Sequence, residues 1–192
     1  MGEILERPRA PTRRRLDVDV YYRMYEAGIL TDPRHVELID GEIIDMAAIG
    51  SPHAAVTNRL ARLFTRAVRD EATLVSVQSP LRLDTYNEPQ PDLMLLRPRA
   101  DDYRASHPSA ADVLLLVEVS ETSLAYDRGV KLALYARSGV PEVWIVDLLG
   151  ASVEVYREPK DGAYVSRERL ANGSLTPALV SEVTIDVAGL LA

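Results

Sequence analysis

The chain contains no cysteine. That excludes a disulfide framework, a zinc–cysteine site and a cysteine nucleophile together, and it fits a reducing, cytoplasmic setting. No apolar run approaches the roughly 20 residues needed to cross a bilayer. Residues 1–15 hold prolines and arginines but no apolar stretch, so they do not read as a secretory signal. A glycine-rich phosphate loop, a dinucleotide fingerprint and a serine nucleophile elbow are all missing, which sets aside the chemistry each supports. Positive charge is also in short supply. Lys and Arg number 22 against 29 Asp and Glu, a net charge of −7. A protein that grips DNA usually shows a basic surface, because phosphate contacts dominate affinity. An acidic balance can equally reflect a cluster of carboxylates awaiting a cation.

At 192 residues, 47% hydrophobic and 27% charged, the chain is long enough for one domain with a real core and short for two. Arg7, Arg9, Arg13, Arg14 and Arg15 crowd a Pro/Arg-rich arm over residues 1–15, which is a solvated tail or a nucleic-acid-contacting arm. Residues 16–192 are expected to form a single domain. Asp17 can cap a short helix running to about Ala27, stopped by Gly28, with Val20, Met24 and Ala27 on one face. Two apolar-containing runs flank Asp40-Gly41, a strong two-residue turn signal, and predict a hairpin over His35 to Met46. Ser51 or His53 opens an amphipathic helix with Pro52 at an early-turn position. Its apolar stripe is Val56, Leu60, Leu63, Phe64, Ala67 and Val68, and its outer side is basic.

Beyond this helix the pattern turns to strands. Thr73 to Gln78, Leu81 to Asp84, Pro91 to Leu96, Val113 to Val119 and Glu142 to Asp147 all read so. The last two are nearly continuous apolar runs, as in strands buried on both faces. Thr122 to Ser138 is expected as one helix, closed by Gly139 and Pro141. The strand-helix-strand over residues 113–147 is long enough to join parallel strands. A second hairpin turns at Asp161-Gly162, and a short strand and helical turn close the chain over Val183 to Leu191. No internal repeat is visible. The class is α/β with a mixed central sheet.

Two carboxylates stand where carboxylates are costly. Glu118 interrupts Val113 to Val119, and Asp92 opens another buried-type strand. An unpaired buried charge is expensive, so each must be paired, metal-bound or at a strand end. Side by side they would repel unless a cation sat between them. Hard oxygen donors suit Mg²⁺, which is commonly held by one or two carboxylates and several waters. Lys131, on the next helix, lies four residues beyond Asp127. It either pairs with Asp127 on the surface or reaches back to the sheet end to stabilise charge on a phosphate. Glu37 is an edge residue facing water or an acid aimed into a pocket. His53 reads first as a solvated residue near a helix cap and second as a phosphate contact. His35 and His107 have no partners at metal-ligand spacing. Trp144 reads as core; Tyr126 and Tyr135 read first as core and second as residues lining the site.

Pro91-Asp92, then Glu118-Val119-Ser120, then a downstream lysine resemble the PD-(D/E)xK nuclease superfamily, whose core order is αβββαβ. Longer strings resemble the Uma-two type family of restriction-endonuclease-like proteins. They are Val36-Glu37-Leu38-Ile39-Asp40-Gly41-Glu42-Ile43, Gln90-Pro91-Asp92-Leu93, Val117-Glu118-Val119-Ser120 and Tyr126-Asp127-Arg128-Gly129-Val130-Lys131-Leu132-Ala133-Leu134-Tyr135-Ala136. Gly139-Val140-Pro141-Glu142-Val143-Trp144-Ile145-Val146-Asp147 is a further one. The resemblance runs from about residue 17 to the C-terminus. It implies a restriction-endonuclease-like fold with an added N-terminal helix and hairpin, and Mg²⁺- or Mn²⁺-dependent hydrolysis of DNA. Asp92, Glu118 and the Val119 carbonyl would hold the metal, and Glu37, Asp92, Glu118 and Lys131 would form the catalytic set. Ser120 stands where the superfamily's lysine is usual, and Lys131 on the next helix would take over its function. Gln78 is a weaker candidate for a polar contact. A homodimer would suit cleavage of both strands. The competing expectation is a catalytically silent nucleic-acid or protein-binding module.

Overall fold

The computed structural model describes residues 12–30, 36–68 and 72–192. His35 and most of the arginine-rich arm lie outside them. The first helix, α1 (Val18–Glu26), is capped by the Asp17 side chain, which accepts from the Val20 amide. Its buried residues are Val18 and Tyr21, so the inward face is offset from the Val20, Met24, Ala27 stripe expected from spacing. The offset follows from its partner. α1 packs on β1 of the hairpin β1 (Val36–Ile39) and β2 (Glu42–Asp45), forming a small core of Val18, Tyr21, Val36 and Leu38. Asp40 and Gly41 both adopt positive φ in the two-residue turn. A β-carbon at Gly41 would lie 2.6 Å from Arg15 Cβ, so only glycine fits the turn and the passing chain together.

The main sheet has six strands in the order β3 (Leu74–Val77), β4 (Leu93–Leu96), β5 (Val113–Ser120), β6 (Glu142–Asp147), β7 (Ser152–Lys160) and β8 (Ala163–Leu170). All neighbours are antiparallel except β5 and β6, whose parallel pairing is the crossover expected over residues 113–147. Both faces of the central strands are covered, which explains their unbroken apolar runs. On one face α2 (Ser51–Ala67) lays Val56, Leu60 and Phe64 against Leu93, Leu95, Val117 and Trp144. The other face buries Met94, Leu116, Val143 and Ile145 beneath Tyr135 and Val140. A two-stranded ribbon, β9 (Ser174–Leu175) with β10 (Ile185–Asp186), then α5 (Val187–Leu191), completes the α2 side; the pairing partner of β10 was not anticipated. The class, α/β with a restriction-endonuclease-like core around a mixed sheet, stands as the sequence implied.

Two departures matter for the site. The segment read as one helix is divided into α3 (Leu124–Tyr126), a π turn (Asp127–Lys131) and α4 (Leu132–Arg137). Asp127 accepts from both Ser120 Oγ and Ser123 Oγ, at 2.7 and 2.6 Å, and these bonds hold the widened turn against the end of β5. The strand expected from Pro91 begins only at Leu93, which leaves Asp92 just outside the ladder with its carboxylate free to turn across to β5. Leu81 to Asp84 is no strand; it carries a buried Leu81 and one isolated bridge, Asp84 to Asn87.

Candidate active site

The antiparallel register that sets Leu93 against Val117 places Asp92 beside the end of β5, where Glu118 and Val119 follow. Asp92 Oδ2 accepts the Val119 amide at 2.8 Å and lies 3.1 Å from His53 Nε2. Gln78 Nε2 approaches Asp92 Oδ1 at 3.4 Å. Glu118 points from β5 to the α4 side, where Oε1 accepts from the Tyr135 hydroxyl and meets Lys131 Nζ at 2.8 Å. Lys131 also donates to Glu37 Oε1 at 3.0 Å, and the same oxygen accepts the Gln90 amide at 2.7 Å. The structure therefore brings Glu37, Asp92, Glu118 and Lys131 to one place. Lys131 does not pair with Asp127 along the helix, because the π turn sends the two side chains to different partners. Glu37 faces the interior rather than water and is 1% exposed.

Each of these groups is buried, and burial sets the electrostatics. Desolvation pushes the Glu118 carboxyl up to about 8; Asp127, Asp92 and Glu37 add to the rise and Lys131 opposes it. For Lys131, burial acts to lower the pKa, but Glu118 and Glu37 outweigh it and hold the ammonium well above the ordinary lysine range. The His53 pKa is raised, mainly by its hydrogen bond to Asp92. One ammonium thus serves a site with more carboxylates than it can neutralise.

That imbalance is the test of whether a cation fits. The contacts of Glu118 fall on Oε1, so Oε2 has no protein partner among the described residues, and Asp92 Oδ1 has only the long Gln78 contact. One carboxylate oxygen on each of two acids lining the same cleft is a donor set for a hard divalent ion. Among the described residues no group of three or more His, Asp or Glu side chains forms a ready-made cage. A cation here would rely on the two acids, a backbone oxygen and water. The Val119 amide is committed to Asp92.

Sequence reasoning undervalued His53. It is no solvated cap-region residue: its side chain is only 14% exposed and it holds Asp92. The available signal was its place in the first turn of a helix opened by Gly50-Ser51-Pro52. A β-carbon at Gly50 would meet Glu121 Oε2 at 2.7 Å, which shows how closely the helix start approaches the residue after β5. Tyr135 is core, as expected, yet its hydroxyl is spent on Glu118. Tyr126 lines the cleft, and its buried hydroxyl has no hydrogen-bond partner among the described residues.

The family described as "Putative restriction endonuclease", Uma2, matches residues 18–188. The chain belongs to the Uma2 family. Among solved structures, this Uma2 chain is similar to a protein from Anabaena variabilis titled a putative nuclease. The two share 14% identity over 92% of this chain and 97% of the other, with a TM-score of 0.69, a likeness of fold. No curated protein matches the chain. The family's description supports a nuclease function in general terms. Among the described residues, no helix of this Uma2 chain is long and apolar enough to cross a membrane.

Proposed function

We propose that this protein is a divalent-metal-dependent endonuclease that hydrolyses phosphodiester bonds of DNA in the cytoplasm. The observation that carries the reading is Lys131, whose buried ammonium joins Glu37 to Glu118 beside Asp92. A binding module has no need of so costly an arrangement, since an ion pair out of water gains little stability. Asp92 and Glu118 would hold Mg²⁺ or Mn²⁺, together with the Val119 carbonyl. When bound, the ion would lower the pKa of an attacking water and screen the charge gathering on the phosphate.

The chain's own groups do the rest. The Val119 amide and His53 fix one oxygen of Asp92, leaving the other towards the cleft. Tyr135 fixes Glu118 in the same way. Glu37, itself held by the Gln90 amide, keeps Lys131 charged and aimed at the sheet end. There the ammonium can orient the water and stabilise negative charge on the phosphoryl oxygens as the bond to the leaving oxygen breaks. A C₂ homodimer would supply two such sites where both strands of a duplex are cut.

The test is DNA cleavage with Mg²⁺ or Mn²⁺, comparing wild type with Asp92→Ala and Lys131→Ala. Loss of a charge-stabilising group typically costs about 10²–10³ in rate, and each variant should fall at least that far. Equal cleavage by all three would sink the mechanism. The net charge of −7 favours a second reading, a catalytically silent nucleic-acid or protein-binding module. Calorimetry separates the two, since a silent module need take up no Mg²⁺ or Mn²⁺.

A further inference from the structure

The cleft above these residues has a volume of about 600 Å³, more than a single phosphate requires. One wall is apolar. Ile44 lies directly opposite Glu37 in the hairpin register, so the two side chains share a face. The chain then runs along the cleft through Met46, Ala47, Ala48 and Ile49 to the start of α2, where His53 meets Asp92. Ile49 is 47% exposed, a large apolar side chain held at the rim. Tyr126 also lines the cleft, its buried hydroxyl without a partner among the described residues. Charge in the lining is lopsided. Among the described residues, Glu37, Asp45, Asp92, Glu118, Glu121 and Asp127 share the lining with a single lysine, Lys131.

These features do not suit a base-paired duplex. Duplex DNA presents a phosphate about every 1.7 Å of helix axis and keeps its bases stacked inside, so an apolar wall at the scissile phosphate would meet nothing apolar. A lining with one lysine and many carboxylates tolerates one phosphate, not a row of them. An unstacked nucleotide fits on both counts. It brings one phosphate to the acids and the lysine, and a base whose flat apolar face can lie on an aromatic or aliphatic wall. We propose, on the footing of the nuclease reading above, that this site takes a nucleotide of single-stranded or locally unpaired DNA, with its base between Tyr126 and the wall from Ile44 to Ile49. Stacking of this kind tolerates any base, so the preference is for strandedness, not for sequence.

The experiment measures cleavage in Mg²⁺ of three substrates: a single-stranded oligonucleotide, its perfect duplex, and that duplex with one unpaired nucleotide. The single strand and the bulged duplex should be cut at least about tenfold faster than the perfect duplex, the scale of one base's stacking. Ile49→Asp, at an exposed rim position, should erase most of that advantage. Val165→Asp, at an exposed position on the outer strand β8, should leave it intact. A perfect duplex cut as fast as the single strand, with cleavage abolished in Asp92→Ala, would overturn this inference and leave the nuclease reading standing. No cleavage of any DNA would overturn both.

Discussion

Lys131 is 3% exposed and stands between two carboxylates that are no more exposed than 4%. Such a group matters most when it is removed, because its partners then stay buried without a countercharge. Lys131→Met should lower stability by about 3–5 kcal/mol at pH 9, above the Glu118 value of about 8, read from urea unfolding. Adding Glu37→Gln and Glu118→Gln to it should return most of the loss; no recovery would mean that packing, not charge, was lost. His53 acts differently, through Asp92. His53→Ala should weaken Mn²⁺ binding about 10–100-fold, as loss of a group that orients a metal ligand typically does. Unchanged affinity would reduce His53 to a structural residue. Asp92 and Glu118 could be picked out from sequence because Asp92 opens an apolar strand and Glu118 interrupts one. His53 could not be weighed that way. Its partner is distant along the chain, and the contact depends on where the start of α2 is pinned.

At the scale of elements, the π turn is the device that builds the site. Within five residues it sends Asp127 to the serine hydroxyls, Arg128 to β7 and Lys131 to the acids. The sequence pattern through this stretch is helical, so nothing local distinguishes a π turn from an α-helix; the demand comes from Ser120 at the end of β5. The turns at Asp40-Gly41 and Asp161-Gly162 were legible because that dipeptide satisfies positive φ by itself. Arg128 anchors the π turn to Glu154, which is fully buried and also accepts from Arg167 and the Tyr156 hydroxyl. Burial acts to raise the Glu154 pKa, but these bonds from Arg128, Tyr156 and Arg167 prevail and hold it at about 2, below the ordinary 4.5. A depressed carboxylate stabilises the fold above its unfolded pKa. That contribution is therefore complete above about pH 4.5 and is lost as pH falls towards 2. In urea unfolding, wild type should exceed Glu154→Gln in stability at pH 7, and the gap should close between pH 4.5 and 2. A gap that stays constant across this range would contradict the pairing.

Across the whole molecule, the net charge of −7 and the nuclease family sit together once the acids are seen to gather at one cleft. Composition could not reveal this. It counts carboxylates without saying that Glu37, from a hairpin outside the main sheet, joins Asp92 and Glu118 at the ends of β4 and β5. The order of strands and the parallel crossover were readable from periodicity and loop length; the convergence of four distant side chains depended on the resemblance. The same convergence makes the central claim testable without substrate. Titration of the full chain with Mn²⁺ in a calorimeter should show binding that Asp92→Ala and Glu118→Ala each abolish, while Val165→Asp, exposed on β8, binds as wild type does. Absence of binding to the wild type, or binding that survives both substitutions, would contradict the account.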